Sequence, residues 1–440
     1  MNASEGERSH TITAEAQGRV LARALREGAL DPGVDTAAVF YDLDDLERRV
    51  RALQAAFPPE SLHAVAIKAN PLVAVLRRLG AWGCGLEAAS WPEVALARAA
   101  GVKPARIVYD SPAKTRAELE QALRAGIYIN ADSLAELERL DELITAQPGP
   151  SRIGLRLNPQ VGEGAIAYTS TATVRSKFGE PLGEREAQIR QAFLRYAWLH
   201  GVHVHVGSQG YPMTRLIDGI RRVLDFALSV NADAPAEEPR VTTIDVGGGL
   251  AVALTGEQEA EGIPAYAEGL RMACPELFGG RFQLITEFGR ALYTHAGWIA
   301  ARVEYVKEAP GLRIAILHAG ADLLLRECYL PEDWRRDVAV CDARGWLKGG
   351  TGPQAQALEP TLLAGPLCFS GDTLGGPRRL PRIEAGDYVI VRDTGAYTLS
   401  MWSRYNSRQM PRVIGYAGPQ GAFCELKARE SVDDVVQFWE

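Results

Sequence analysis

The sequence predicts an α/β protein in which an N-terminal (β/α)8 barrel precedes a mostly β C-terminal domain. Between residues 60 and 290, short apolar runs alternate with amphipathic stretches whose apolar residues recur at intervals of three and four. After Arg290, strand-like runs follow one another without long helices between them. A doubly wound open sheet would show the same alternation, but the count of eight apolar runs favours the barrel.

The barrel prediction depends on eight strand-like runs. In chain order they are HAVAIK (63–68), WGCGLE (82–87), RIVYD (106–110), IYIN (127–130), RIGLRLN (152–158), GVHVHV (201–206), TTIDV (242–246) and QLITE (283–287). Three intervening helices begin with the S/T-x-x-E pattern of a capping box, at Ser90, Thr115 and Ser133. Residues 36–41, TAAVFY, predict one more strand.

These patterns divide the chain into three segments. Residues 1–35 form a polar N-terminal segment whose candidate packing partner is the β domain. Residues 36–295 form the predicted barrel, and residues 296–440 form the predicted C-terminal β domain.

Composition excludes several classes of function. The net charge of −7 gives no basic surface for nucleic acid. No apolar run approaches the roughly 20 residues of a membrane span, and the polar N-terminus lacks the apolar core of a signal peptide. The six cysteines include no CxxC pair, which argues against a zinc ribbon or a disulfide framework. We therefore expect a cytoplasmic protein whose partner is a small molecule, with no nucleic-acid or membrane partner.

Polar residues stand at the carboxyl ends of all eight predicted strands. In a barrel these ends form one face, on which active sites are built. The residues expected at that face are Lys68, Glu87, Asp110, Asn130, Arg156 with Asn158, His205, the glycines 247–249, and Glu287 with Arg290.

Lys68 ends an apolar run, which raises the question of why a buried strand should carry an ammonium group. A lysine that extends its amine to solvent from a strand end is one interpretation. The other is an imine-forming lysine, because burying an ammonium costs several kcal/mol or more. Desolvation then frees the amine as a nucleophile.

A phosphate site is predicted by VGGGL at 246–250, together with Ser208 and Arg290. Glycines after a strand let backbone N–H groups approach an anion, and an arginine matches phosphate geometry. The GxGxxG spacing of a dinucleotide-binding loop is missing, and a tight turn would also explain the glycines.

His203 and His205 alternate along one strand and should share a face. They could be core histidines, or a flat imidazole could stack on a planar cofactor. No third ligand has the spacing for zinc, so no metal site is predicted. Glu287, at the end of an apolar strand, needs a cationic or N–H partner. A lysine, a phosphate site, a ring-covering histidine and a carboxylate together describe a site for pyridoxal 5′-phosphate (PLP).

The sequence resembles the PLP-dependent decarboxylases of the alanine-racemase fold (fold type III), most closely diaminopimelate decarboxylase and more distantly ornithine decarboxylase. The resemblance covers nearly the whole chain. The matching motifs are AIKANP (66–71), GCGLEAASWPE (83–93), RLNP (156–159), SKFG (176–179), HVHVGSQ (203–209), DVGGGL (245–250), EFGR (287–290), CFSGD (368–372) and GAYTLSMWSRYNSR (395–408).

The resemblance implies a role for each matching residue. Lys68 binds the cofactor covalently and exchanges it for substrate, His205 stacks on its ring, and Glu287 bonds its pyridine nitrogen. Cys368 acts near Cα and is supplied across a homodimer interface. The remaining implied cofactor contacts are Glu87, which stands where relatives have aspartate, Arg156, and the phosphate-binding residues Ser208, Gly248, Gly249, Arg290 and Tyr397.

Glu287 and Cys368 select the reaction type that the resemblance implies. A carboxylate at the pyridine nitrogen favours the protonated ring, which is the better electron sink for the carbanion left by CO2. Racemases of this fold place an arginine there instead. Cys368 is a candidate proton donor to that carbanion, although a buried hydrophobic cysteine would also fit its sequence position.

Besides Glu87, two residues depart from the family pattern. Phe369 stands where relatives that act on diamino acids carry an acidic residue, and Phe288 replaces the proline of EPGR. A distal ammonium left unpaired by Phe369 would cost roughly 1–3 kcal/mol or more. Arg326 falls where diaminopimelate decarboxylases bind a substrate carboxylate, and Tyr329 and Asp372 are the other expected substrate contacts.

We therefore expect a PLP-dependent amino-acid decarboxylase with an altered substrate. The distal end of that substrate should be carboxylate-bearing, neutral or bulky, as in a siderophore or another natural-product intermediate. The alternatives are a housekeeping meso-diaminopimelate decarboxylase that makes L-lysine, an amino-acid racemase, and a non-catalytic PLP-binding protein.

Overall fold

The structure is a computed structural model that describes residues 12–235, 238–256, 258, 260–349 and 357–440. The chain divides into two compact units. The barrel unit comprises Arg49–Val252 and Ala260–Ala291, and the β unit comprises Met1–Arg48, Ala253–Glu259 and Leu292–Glu440.

The strands of the described residues are numbered in chain order. They are β1 (Ala37–Asp42), β2 (Leu62–Ala66), β3 (Gly85–Ala88), β4 (Ile107–Asp110), β5 (Tyr128–Ala131), β6 (Ile153–Asn158), β7 (Glu180–Pro181), β8 (Leu199–His203), β9 (Thr243–Asp245), β10 (Gln283–Thr286), β11 (Gly297–Ala309), β12 (Leu312–Leu317), β13 (Val338–Cys341), β14 (Leu358–Ala364), β15 (Arg378–Pro381), β16 (Tyr388–Val391), β17 (Arg412–Tyr416) and β18 (Phe423–Lys427).

The α-helices connect these strands. They are Ala14–Glu27, Leu43–Ala56, Val73–Ala81, Trp91–Ala99, Arg116–Ala125, Leu134–Ala146, Leu182–Arg195, Met213–Ala232, Ile263–Ala273, Arg290–Tyr293, Leu325–Tyr329, Pro331–Trp334 and Val432–Trp439. Within the described residues, no helix combines the length and apolar composition that crossing a membrane requires.

Eight parallel strands close the barrel in the order β2-β3-β4-β5-β6-β8-β9-β10, and β10 pairs again with β2. All eight predicted strands are present, which confirms the barrel. The short strand β7 adds to β6 outside this ring. Because the strands are parallel, their carboxyl ends lie on one face, as the sequence predicted.

The three predicted helix starts are confirmed with one variation. Thr115 and Glu118 form a reciprocal capping box. At the other two helices the serine also accepts from the backbone of the third helical residue, but the glutamate reaches one residue further back. Thus Glu93 accepts from the N–H of Ala89 at 2.7 Å, which still satisfies a backbone donor at the strand-to-helix turn.

β1 belongs to the β unit, which corrects the predicted start of the barrel at residue 36. It pairs antiparallel with β11 and parallel with β17, in a sheet of order β15-β14-β12-β11-β1-β17-β18 with β16 and β13 alongside. All six residues of β1 are buried. A strand buried on both faces has no alternating pattern, so its sequence could not indicate which sheet it joins.

The N-terminal segment contains an amphipathic helix, Ala14–Glu27, and is therefore less polar than its composition indicated. Val20 and Leu21 are fully buried in one core with Phe40 and Trp298 of the β sheet. The expected packing of this segment on the β domain is thus present for its described part. Residues 1–11 lie outside the described residues.

Candidate active site

Lys68 lies at the carboxyl end of β2, in a single 3-10 turn formed by Ile67–Ala69. The strand ends two residues earlier than predicted because Asn70 turns the chain, its Oδ1 accepting from the N–H of Leu72 at 3.1 Å. The Nζ of Lys68 donates to Oε2 of Glu87 at 2.7 Å. The Glu87 side chain is fully buried, whereas that of Lys68 is 33% exposed.

The Lys68–Glu87 pair is suited to moving a proton. Burial raises the pKa of Glu87 to about 8, although the Lys68 amine opposes this, and the carboxylates of Glu287 and Asp110 add to the rise. A carboxyl group with that pKa can accept a proton from a neighbouring amine near neutral pH. The pair can therefore present Lys68 as a free amine, as an imine-forming residue requires.

His205 follows the end of β8, and its Nδ1 lies 3.9 Å from Oε2 of Glu287. Its Nδ1 also accepts the N–H of Gly248 at 3.3 Å, so in the neutral ring the proton is on Nε2. Burial lowers the pKa of His205 to about 3, and the cations Lys68 and Arg156 lower it further. The site thus holds a neutral, flat imidazole, as predicted for stacking on a ring.

The predicted anion-binding residues of the barrel unit lie on the segments that follow β8, β9 and β10. Arg290 donates from Nη2 to Oγ of Ser208 at 3.3 Å. Gly249 has φ +95°, a left-handed conformation that favours glycine, and a Cβ there would overlap the carbonyl oxygen of Gly207. The glycine therefore allows the loop after β9 to approach the loop that carries Ser208. The N–H of Gly248 donates to His205, a role that the sequence did not indicate.

A chain of buried charged groups crosses the barrel behind these loops. Nη1 of Arg156 lies 3.3 Å from Oδ2 of Asp110. The other oxygen of Asp110 lies 3.7 Å from Nδ1 of His203, whose Nε2 lies 3.4 Å from Oε2 of Glu287. The cationic partner that Glu287 was expected to need is therefore His203.

The same arrangement brings three metal-type ligands within reach of one another. Ligand atoms of Asp110, His203 and Glu287 lie within 4.8 Å of each other. The sequence argument found no third ligand because the two carboxylates come from distant strands. Arg156 contacts the other oxygen of Asp110 and adds a positive charge beside these groups, so we assign them to an ion-pair network.

Cys368 lies in the β unit and is exposed, whereas Cys84, Cys274 and Cys341 are buried. Its backbone N–H donates to Oδ1 of Asn406 at 2.8 Å. Cys368 is therefore not a buried hydrophobic cysteine, and its thiol is accessible in this chain.

Three rings form an aromatic cluster next to Cys368. Phe369 stacks on Tyr329 with ring centroids 5.7 Å apart, and its edge meets Tyr405 at 6.2 Å. Tyr329 and Tyr405 are 61% and 50% exposed. The residue that departs from the family thus contributes to an exposed apolar surface.

Arg326 and Tyr397, both expected site residues, contact each other. The Arg326 guanidinium lies 5.0 Å from the Tyr397 ring and 4.4 Å from the Trp334 ring. Tyr397 has φ +56°, unusual for a bulky residue and a form of backbone strain that is typical of functional sites.

Asp372 is placed differently from its expected role as a substrate contact. It is 3% exposed, and its two carboxylate oxygens accept the N–H groups of Ala321 and Leu367, each at 2.6 Å. Its acceptor positions are used to hold the loop that carries Cys368. We therefore propose that Asp372 positions this loop, and its expected role as a substrate contact stays a prediction.

Comparisons with known proteins agree with this geometry. A family model described as the pyridoxal-binding domain of pyridoxal-dependent decarboxylases matches residues 43–294. Diaminopimelate decarboxylase of Helicobacter pylori is 30% identical over 408 residues, covering 91% of this chain and 94% of that protein. The Pseudomonas aeruginosa enzyme is 31% identical, covering 91% and 92%. The crystal structure of the H. pylori enzyme with L-lysine superposes with a TM-score of 0.79 at 28% identity, covering 92% and 96%.

This chain belongs to the pyridoxal-dependent decarboxylase family. It is a PLP-dependent decarboxylase of the alanine-racemase fold, so the alternatives of a racemase and of a non-catalytic carrier are set aside. The barrel residues fit the cofactor. Among the described residues, neither carboxylate oxygen of the buried Glu287 has a hydrogen-bond partner, which leaves the group available to a ring nitrogen.

Two features of this decarboxylase site were missed by sequence reasoning. Asp110 and Asn130 were expected at the barrel mouth without a role, but Asp110 pairs with Arg156 and Asn130 donates to Asp245 at 3.0 Å. From the sequence, His203 was considered as a core residue, a zinc ligand or a ring stacked on a cofactor, with no role toward Glu287. Its alternation with His205 was the available signal, but its carboxylate partners come from other strands.

Proposed function

We propose that this PLP-dependent decarboxylase removes the carboxylate at Cα of an amino acid whose distal end is neutral and bulky or carries a carboxylate. The observation that supports this proposal is the aromatic cluster of Tyr329, Phe369 and Tyr405 beside Cys368. Relatives acting on diamino acids carry an acidic residue at the position of Phe369.

The energetics favour an apolar or acidic distal group over an ammonium. Loss of the acidic acceptor weakens the binding of a distal ammonium by about 1–3 kcal/mol. Aromatic faces return only about 0.5–1 kcal/mol at exposed sites and about 2 when desolvated. We expect Asp372 to be a poor substitute for the missing acid because it is 3% exposed and each of its oxygens already accepts a backbone N–H group.

Arg326 supports the carboxylate-bearing version of the substrate. Its guanidinium lies against the rings of Trp334 and Tyr397, which restrict its orientation. A guanidinium can bind a carboxylate through two parallel hydrogen bonds. A substrate with a distal carboxylate and no distal amine fits a specialised route, such as assembly of a siderophore or another natural product.

The residues of this chain divide the chemistry between them. PLP, when bound, supplies the electron sink for the electron pair left at Cα as CO2 departs. Lys68 holds the cofactor, and Glu87 exchanges a proton with the Lys68 amine. Glu287 presents a carboxylate to the ring nitrogen, and His205 covers the ring as a neutral imidazole. We assign to Cys368 the proton delivered to Cα after CO2 has left.

A housekeeping meso-diaminopimelate decarboxylase is the competing function, supported by relatives of that name over about nine tenths of the chain. The test is product mass after the PLP-loaded protein is incubated with meso-diaminopimelate, and with amino acids whose distal end is a carboxylate or a phenyl group. We expect turnover of an amino acid whose distal end is a carboxylate or a phenyl group, and no L-lysine from meso-diaminopimelate. L-Lysine as the fastest-formed product would refute the altered specificity.

A Phe369 substitution separates charge from shape. Phe369→Glu restores the acidic acceptor, and Phe369→Gln is the matched variant of similar size without the charge. We expect Phe369→Glu alone to gain activity on meso-diaminopimelate, by about 5- to 150-fold in kcat/KM for 1–3 kcal/mol. An equal gain in both variants would show that ring size, rather than the missing charge, restricts the substrate.

We also propose that two copies form a homodimer in which each supplies Cys368 to the other, as the family resemblance implies. Mixing the inactive variants Lys68→Ala and Cys368→Ala tests this. If the sites are shared, random mixing restores roughly a quarter of the wild-type activity, since half the dimers carry one intact site. No recovery from well-mixed subunits would exclude shared sites.

A further inference from the structure

We propose that His203 is a positioning residue: as an imidazolium held by Asp110, it keeps Glu287 ionised, so that the cofactor's ring nitrogen meets a carboxylate. This inference rests on the PLP-dependent decarboxylase activity and does not depend on the proposed substrate. From the sequence, the interpretations open to the His203 and His205 pair were core histidines, zinc ligands and a ring stacked on a cofactor, and none gave His203 a role toward Glu287.

The geometry places His203 between two carboxylates that come from different strands. Its Nδ1 lies 3.7 Å from Oδ1 of Asp110, at the end of β4, and its Nε2 lies 3.4 Å from Oε2 of Glu287, which follows β10. The side chains of His203 and Glu287 are 0% exposed, and that of Asp110 is 4% exposed. A ring with a carboxylate facing each nitrogen is stabilised when both nitrogens carry protons.

The other charged groups around Glu287 are already engaged. The cations that face this region are Lys68, which bonds to Glu87, and Arg156, which bonds to Asp110. His205 lies 3.9 Å from Glu287, but its Nδ1 accepts the N–H of Gly248. Among these neighbours, His203 is therefore the group placed to neutralise Glu287.

Asp245 is the third carboxyl group that faces His203. It accepts from Asn130 and from the N–H of Gly247, each at 3.0 Å, and burial raises its pKa to about 8. The two N–H donors favour the ionised Asp245 and are its hydrogen-bond partners, whereas neither oxygen of Glu287 has a hydrogen-bond partner among the described residues. Glu287 thus remains the anion that His203 balances.

The two histidines of HVHV are held in opposite protonation states by their surroundings. Burial lowers the pKa of both, but the carboxylates of Asp110, Glu287 and Asp245 outweigh burial at His203 and raise its pKa to about 9. At His205, burial together with Lys68 and Arg156 lowers the pKa to about 3. One imidazole is thus charged, to hold an acid, and the other is neutral, to cover a ring.

The first experiment follows the histidine resonances of the full-length protein, with 13C at Cε1, with and without the cofactor. His203→Gln assigns the resonance. We expect His203 to remain an imidazolium at pH 7 and to titrate above pH 8, and we expect Glu287→Gln to lower its apparent pKa by at least about one unit. A neutral His203 at pH 7, or a resonance that ignores Glu287→Gln, would overturn the proposal. Decarboxylation is not needed, so this test is independent of the proposed function.

The second experiment compares His203→Gln with His63→Gln in the holoenzyme. His63 is another buried barrel histidine, with Nδ1 2.9 Å from Oγ1 of Thr286, and burial lowers its pKa to about 4. In the wild type, kcat should fall near pH 9 as His203 loses its proton. His203→Gln should lower kcat about 10- to 100-fold with KM changed less than about threefold, and its kcat should not show that fall. His63→Gln should do neither.

Two outcomes of this comparison would refute a positioning role. One is the same loss of kcat with an unchanged pH profile in both variants, which would indicate a packing role. The other is zinc bound stoichiometrically by the purified wild-type protein and lost in His203→Gln, which would make the three groups a metal site.

Discussion

Replacing Glu87 by glutamine removes a carboxyl group that is predicted to remain protonated up to about pH 8 in the folded protein. Burial raises the pKa of Glu87 from 4.5 to about 8. Between these values the folded protein binds more protons than the unfolded chain, so the stability of the wild type falls as pH rises from about 4.5 to about 8. At roughly 1.4 kcal/mol per pKa unit the upper bound is about 5 kcal/mol. Lys68, 2.7 Å away, shares the proton, so we expect about 2–4 kcal/mol.

The assay is urea unfolding of the cofactor-free protein at pH 5 and pH 8, for the wild type and Glu87→Gln. The loss of the Lys68 partner affects the variant at both pH values and cancels in the comparison. Asp245, whose pKa is also raised to about 8, is present in both proteins. We expect the variant to gain about 2–4 kcal/mol relative to the wild type from pH 5 to pH 8. A difference that is equal at both pH values would show that Glu87 is ionised throughout, and the proton exchange assigned to the pair would be wrong.

Three further substitutions test other parts of the site. Lys68→Ala should lose both the absorbance of bound PLP and all decarboxylation, and an active variant would contradict its role. Gly249→Ala should destabilise the protein by at least about 1–3 kcal/mol in urea unfolding, because φ is +95° and a Cβ would overlap the carbonyl oxygen of Gly207. The control is Gly101→Ala, which should be destabilised less because a Cβ at Gly101, where φ is +84°, would meet only open space. Asp372→Ala should lower kcat for all substrates alike by releasing the Cys368 loop, and a change in substrate preference alone would support Asp372 as a substrate contact.

Much of the barrel was predictable from the sequence because its signals are local. Each buried parallel strand is a short apolar run, and each run ends on a residue that the structure places at the barrel mouth, such as Lys68 or His205. The capping residue Thr115 marks a helix start in the same local way. Their convergence follows from the parallel topology alone.

The errors came from properties that depend on distant partners. β1 has six buried residues, and nothing in TAAVFY indicates that its neighbours are β11 and β17. Asp372 was expected in the substrate site because its motif resembles the family, and its sequence could not show that it also accepts the N–H group of Ala321, 51 residues away. His203 gained its role only when the strands that carry Asp110 and Glu287 closed around it.

The altered motif residues occur in both units: Glu87 and Phe288 lie in the barrel unit, and Phe369 lies in the β unit. The barrel unit keeps the lysine, the ring-nitrogen carboxylate and the anion-binding loops, with Phe288 as its one altered motif residue beside Glu87. Phe288 is fully buried against Phe57 and Tyr266, so it fills the barrel core without adding charge. Phe369, by contrast, exchanges a charge for a ring on an exposed surface. We propose that a change of that kind alters which substrate is bound and leaves in place the groups expected to promote loss of CO2, so that specificity in this fold can change without a change of reaction.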